Sequence, residues 1–219
     1  MTMLDYPGKV ACTIFTYGCN FRCPFCHNAT LVIDEANLFT KEEILSYINK
    51  RKGILDGVCV SGGEPLLQPD IIDFLKELKA SGLLVKLDTN GSYPERLQEI
   101  IDLGLVDYVA MDIKNSKEKY QLTTDSQIDI KKIEKSVEIL MKDKVDYEFR
   151  TTVVKEFHED EDFYKIASWL KGAKRLFLQP FKDSENLIEK GLQSHTPQAL
   201  EGFKDILKTT INQVEIRGL

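Results

Sequence analysis

Cys19, Cys23 and Cys26 fall in one short run, Cys19-Asn-Phe-Arg-Cys23-Pro-Phe-Cys26-His27-Asn28. Thiolates are soft ligands, and three at this spacing can each hold one corner of an iron–sulfur cluster. A four-iron cubane has four corners, so three ligands leave one iron open to another group. Two other readings stand beside it: part of a zinc site, or three unrelated buried thiols. A structural zinc site takes four ligands, typically from paired Cys-x-x-Cys groups. Only Cys12, Cys59, His27, His158 and His195 remain to supply a fourth, and His27 follows Cys26 directly, an awkward place from which to close the same site. Cys12 and Cys59 lie in apolar runs and read as small hydrophobes.

Further polar and glycine-rich groups recur along the chain. Gly62-Gly63-Glu64-Pro65 lets backbone come close to a neighbour, since no Cβ intrudes at the glycines. Asp88-Thr89-Asn90-Gly91 contains a strong turn signal, and Asp88 can also hold a hydroxyl or cap a helix. Met111-Asp112-Ile113-Lys114 pairs a carboxylate with an amine, and Arg150 can grip a carboxylate with two donors. Gln179-Pro180-Phe181-Lys182 ends the series. His158 sits in the acidic run Phe157-His-Glu-Asp-Glu-Asp162, which reads as a solvated loop and helix start, and His195 precedes a helix cap. Neither histidine is assigned a catalytic role.

The elements that must position these groups alternate. Short apolar runs predict strands over 10–15, 58–61, 84–88, 108–111, 147–153 and 175–179, with another over 214–217. Between them lie helical patterns. Thr40-Lys-Glu-Glu43 is a capping box opening a helix through Lys50. Apolar stripes predict helices over 69–80, 94–103, 130–141 and 160–170, and Thr196-Pro197 opens a last one through Ile211. Repeated strand–helix units imply an α/β fold with a parallel sheet. Six units suit an incomplete (β/α)6 TIM-like barrel, and an open doubly wound sheet is the alternative. In either, chemistry gathers beyond the carboxyl ends of the strands. The groups singled out above fall at or near those ends.

The chain has 219 residues, 42% apolar and 29% charged, which suits one domain over 1–219 with a substantial core. A net charge of -6 disfavours a nucleic-acid partner. No apolar run approaches the length of a membrane span, and the opening residues lack a basic-then-apolar signal pattern. Five cysteines, three of them clustered, argue against a secreted disulfide framework, so the expected location is cytoplasmic.

The cysteine run, with an aromatic before its third cysteine, resembles the signature of the radical S-adenosylmethionine (SAM) superfamily. The resemblance implies a 4Fe–4S cluster on Cys19, Cys23 and Cys26, with SAM chelating the open iron. It implies that the Gly62–Gly63 backbone binds the SAM amino end while Glu64 orders that loop, and that the Phe25 backbone meets adenine. Asp-Thr-Asn-Gly followed by Met-Asp-Ile-Lys resembles the activating enzymes of glycyl radical enzymes, of which pyruvate formate-lyase activating enzyme is one. There, by resemblance, Asp88, Thr89 and Asp112 would hold a monovalent cation, helped by a carbonyl near Ala110 or Met111. Lys114 and Arg150 would border the SAM site, and Gln179 would reach the adenosine. Lys182 stands where that relative carries a histidine, a departure from the pattern.

The segments Leu4-Asp-Tyr-Pro-Gly8-Lys, Gly18–Asn28 and Val214–Gly218 resemble activating proteins for anaerobic ribonucleoside-triphosphate reductase. The implied reaction takes an electron from a flavodoxin- or ferredoxin-type donor and cleaves SAM. A hydrogen is then abstracted from a glycine Cα of the partner enzyme. Residues Asp5–Gly8 would touch the partner's loop or simply form a turn. A radical SAM enzyme acting on a small molecule or peptide, and an iron–sulfur electron carrier, are the competing functions. A carrier would normally close all four cluster corners with protein ligands.

Overall fold

The computed structural model describes Thr2, residues 5–32 and residues 38–218. Leu4, at the head of the opening motif, lies outside them. Seven strands form one sheet: β1 (Ala11–Thr16), β2 (Gly57–Gly62), β3 (Leu84–Thr89), β4 (Tyr108–Asp112), β5 (Asp146–Val153), β6 (Arg175–Pro180) and β7 (Gln213–Ile216). Every pairing is parallel, and the spatial order is β1-β2-β3-β4-β5-β6-β7. A doubly wound sheet reverses its strand order at a switch point. This order never reverses, so the chain winds one way as an open, incomplete barrel.

The helices are α1 (Lys41–Asn49), α2 (Ile71–Ala80), α3 (Pro94–Asp102), α4 (Tyr120–Thr124), α5 (Ile130–Met141), α6 (Asp160–Trp169) and α7 (Pro197–Lys208). The capping box at Thr40 is present: its hydroxyl accepts from Glu43 N and the Glu43 carboxylate accepts from Thr40 N. Helix α2 starts two residues later than its periodicity suggests, because a 3₁₀ turn at Pro65–Leu67 occupies the approach. Helix α7 stops at Lys208, and the Thr210 hydroxyl leaves the helix to donate to the Ala167 carbonyl. The turn Lys117–Lys119 and helix α4 had no sequence signal. Two consecutive threonines are poor helix formers, and packing of the fully buried Tyr120 holds this short helix in place.

Strand alternation sorts the side chains. Val85, Leu87, Val109, Met111, Tyr147, Phe149 and Val153 face the helices and belong to the hydrophobic core. The intervening positions, Lys86, Asp88, Tyr108, Asp112, Glu148 and Arg150, lie on the other face, inside the barrel. At the amino-terminal end of that interior, Tyr6 packs on Tyr108 with ring centroids 6.0 Å apart. Asp5 accepts a hydrogen bond from the Thr13 hydroxyl at 2.6 Å. The Asp5–Gly8 turn thus closes the end of the barrel away from the cysteine loop.

Candidate active site

The cysteine loop leaves the carboxyl end of β1. Cys23 is buried, while Cys19 and Cys26 are half-buried. The loop is pinned from several directions. Arg22 N donates to the Thr124 carbonyl (3.0 Å) and the Ser126 hydroxyl (3.0 Å). The Arg22 guanidinium folds back onto the carbonyls of Cys19 (2.6 Å) and Phe21 (2.8 Å). Asn90 donates from one amide group to Asn20 (3.0 Å) and to Cys19 Sγ (3.8 Å), and Phe21 N also donates to that sulfur (3.4 Å). Burial pushes the Cys23 thiol up to about 12 against the pull of Lys114, and raises Cys19 likewise. Unliganded, these thiols keep their protons until a soft metal displaces them.

Gly62 and Gly63 are fixed by backbone proximity. Gly62 has φ +116°, and a Cβ there would lie 2.4 Å from Thr16 backbone; one on Gly63 would lie 1.9 Å from the Gly18 carbonyl oxygen. Their loop is therefore clamped to the cysteine loop, with Gly63 N donating to Thr16 O (3.0 Å) and Glu64 N to Gly18 O (2.9 Å). Glu64 is fully buried and accepts from Leu66 N (3.0 Å), the Thr89 hydroxyl (2.8 Å) and Asn90 N (2.7 Å). One carboxylate thus joins the ends of β2 and β3. Burial outweighs those three donors and raises its carboxyl to about 7.

Beyond β3 the character changes to ion pairs. Asp88 is paired with Lys86 and with Arg150 (3.1 Å), and accepts from the Ser61 hydroxyl (3.1 Å). Arg150 reaches on to Asp112 (2.9 Å), which Lys114 holds from its other oxygen (2.9 Å). Burial alone would raise the Asp112 carboxyl, but Arg150 and Lys114 outweigh it and hold it at about 2. One layer down, buried Glu148 accepts from Tyr108 (2.7 Å) and from two nitrogens of Arg217 (2.7 and 2.9 Å).

A family model described as "Radical SAM superfamily" matches residues 13–170. The chain belongs to the radical SAM superfamily. A protein of Methanocaldococcus jannaschii, named provisionally as a glycyl-radical enzyme activating enzyme, is 36% identical over 226 residues, covering 100% of this chain and 93% of that protein. The chain therefore falls among the activating enzymes within the radical SAM superfamily. Pyruvate formate-lyase-activating enzyme of Clostridium pasteurianum is 38% identical over 52% of this chain, a match spanning 50% of its own length. Among solved structures, Streptococcus suis SuiB bound to S-adenosylmethionine matches with TM-score 0.76 at 13% identity, over 95% of this chain and 50% of SuiB. A domain of pyruvate-formate lyase-activating enzyme from Bacteroides vulgatus matches with TM-score 0.60 at 22% identity, over 74% of this chain and 99% of that domain. These two likenesses speak to the fold.

Radical SAM enzymes use a 4Fe–4S cluster and SAM, and the cysteine loop fits such a cluster. Its donor set is three thiols on one loop, with amide donors already aimed at Cys19 Sγ. Among the described residues, no three His, Cys, Asp or Glu side chains converge as ligands of a single metal ion. Thiols that each take a different iron of a cubane need no such convergence.

The expected cation ligands fit less well. Asp88 and Asp112 do come together, but across the Arg150 guanidinium, and the Thr89 hydroxyl is turned to Glu64. The Phe25 side chain is buried, against Phe157 at 5.9 Å. Gln179 lies near the end of β6, and the Lys182 carbonyl bonds to the His27 ring (2.8 Å).

His158 corrects the solvated-loop reading: it is buried, and its Nε2 bonds the Lys114 carbonyl (2.9 Å). Asp162 is buried too, accepting from Ser116 (2.9 Å) and Lys119 (2.8 Å). Sequence reading also passed over Lys86, Asn20, Glu148 and Arg217. Strand alternation places Lys86 and Glu148 inside the barrel, a signal that was available; nothing in the local pattern marks Asn20 or His158.

Proposed function

We propose that this chain activates a glycyl radical enzyme by taking hydrogen from a glycine Cα, and that the partner is an anaerobic ribonucleoside-triphosphate reductase. The observation that carries the activase reading is the end-to-end relation to the M. jannaschii protein named for that activity. The narrower choice of partner rests on the motifs at residues 4–9, 18–28 and 214–218. When bound, the cluster and SAM supply one-electron cleavage chemistry that ends in hydrogen abstraction.

The chain's own residues bind and orient. Cys19, Cys23 and Cys26 would hold the cluster. With the Gly63 amide donated to Thr16 and the Glu64 amide to Gly18, the Gly62–Gly63 loop would offer carbonyl oxygens to an amino group, Gly62 O also being met by the Asn28 amide at 3.5 Å. Lys114 and Arg150 would face the cofactor's carboxylate. Phe25 backbone and Gln179 would flank its adenosine. No side chain need act as an acid or base; the task is to hold the target carbon close and to exclude water. The barrel does not close between β1 and β7 among the described residues. Phe15, on edge strand β1, is 52% exposed there. Such an opening admits a protein loop.

The test is anaerobic cluster reconstitution, reduction by a flavodoxin or ferredoxin, and addition of SAM and the reductase. A glycine-centred radical on the reductase, seen by electron paramagnetic resonance, is the expected result. SAM cleavage without that radical would overturn the partner and favour a small-molecule or peptide substrate.

A further inference from the structure

The aspartates expected to hold a monovalent cation are already saturated by the protein. Asp88 takes Lys86 on one oxygen, and Arg150 and Ser61 on the other. Asp112 takes Arg150 on one oxygen and Lys114 on the other. Its backbone carbonyl accepts from the Tyr120 hydroxyl at 3.2 Å. The third expected ligand, Thr89, gives its proton to Glu64 and accepts from Gly91 N at 3.1 Å. The oxygens of the candidate cation site point at protein donors.

The charge balance argues the same way. Lys86 and Arg150 both hold Asp88, and Arg150 and Lys114 both hold Asp112, while Glu64, bonded to Thr89, is the neighbouring carboxylate. Glu148, the next carboxylate below, is neutralised by Arg217. With each aspartate already held by two fixed cations, a further cation finds no unanswered carboxylate in this pair.

Lys86 is what tips the balance. Its side chain is 2% exposed, and besides Asp88 it meets only Cys59 Sγ at 3.8 Å among the described hydrogen-bond partners. A buried ammonium of this kind is costly unless it answers a fixed negative charge. Here the charge it answers is that of Asp88, the first of the expected cation ligands.

We infer that Lys86 is a built-in counter-cation: its ammonium, with the Arg150 guanidinium, takes the place of a free monovalent cation beside the SAM site. The inference rests on the reading that SAM lies over these strand ends. SAM binding should then be indifferent to the salt cation.

The experiment measures equilibrium binding of SAM to the cluster-loaded protein in choline, sodium and potassium chloride at equal ionic strength. Dissociation constants should agree within about twofold. Binding weaker by about tenfold or more in choline would overturn the inference while leaving the SAM site intact. No binding in any salt would overturn both.

Lys86→Met supplies a second arm, since it removes the ammonium and keeps the side-chain length. Its binding should weaken about tenfold in choline, from loss of a charge-assisted contact, and recover with sodium or potassium. The melting midpoint of the cluster-free variant should rise with either cation, whereas the parent's should not. A folded variant indifferent to both cations would refute the role. The salt series on the parent protein needs no variant and stands if Lys86→Met fails to fold.

Discussion

The two halves of the site are built on different physics. From β1 to the turn after β3, the cysteine loop and the Gly62–Glu64 loop are held by backbone contacts, amides and one buried carboxylate. From β3 to β5, the strand ends are held by alternating charges, Lys86–Asp88–Arg150–Asp112–Lys114. The first half is limited by shape, because its parts are backbones in close contact. The second is limited by charge balance, because any one ion removed strands its neighbour in a buried setting. The two should therefore fail in different ways.

The largest effect belongs to the cysteine loop. Cys23→Ala should abolish SAM cleavage, while the melting transition stays cooperative and costs about 1 kcal/mol for the lost buried sulfur. Cleavage at the parent rate in that variant would remove Cys23 from the ligand set. Next is Gly63→Ala, where the new methyl would meet a fixed carbonyl at 1.9 Å. The loop must move, at about 2–3 kcal/mol, and SAM binding should weaken on the order of a hundredfold. Parent-like affinity would show that the clamp between the two loops is not what shapes the site.

On the charged side, Arg217→Ala tests balance. It leaves Glu148 with Tyr108 alone in a buried setting and should destabilise the fold by about 3 kcal/mol, the low end for a broken buried pair because Arg217 is partly exposed. Urea unfolding measures it. A cost below about 0.5 kcal/mol, the range of ordinary surface substitutions, would mean that water already compensates Glu148.

Much of this was legible in the sequence, unevenly. The seven strands came from short apolar runs, and α5 matched its apolar stripe from Ile130 to Met141. The winding direction was not legible, since periodicity carries no information about which strands become neighbours; the unreversed strand order supplied it. In the site, the shape-limited half was read well, because glycines and cysteines announce themselves by type and spacing. The charged half was read by its aspartates and Arg150 but without Lys86 and Glu148. Each lies two residues before a site residue, Asp88 or Arg150, in the same strand, so only alternation, and no motif, marks it as facing the barrel interior. His158 was misread for a related reason: its acidic neighbours suggested solvent, whereas contacts with Lys114 and Val154, remote in sequence or set by the fold, bury it.

The smallest predicted effect separates the halves by pH. Burial raises the Glu64 carboxyl from 4.5 to about 7. Between those values the folded protein holds a proton that the unfolded chain has released. Folding therefore takes up a proton, and this contribution to stability declines as pH rises from 4.5 to about 7, then levels off. Asp112 behaves oppositely: held down at about 2, it adds stability above 3.8 that is lost only as pH falls toward 2. The two windows do not overlap. Glu64→Gln cannot ionise, so the stability of the parent minus that of the variant isolates the first. Unfolding in urea should show that difference shrinking by on the order of 1–2 kcal/mol from about pH 5 to about pH 7.5. Parallel profiles would mean that the donors from Thr89, Asn90 and Leu66 keep Glu64 ionised throughout. Both halves of the site would then be organised by charge.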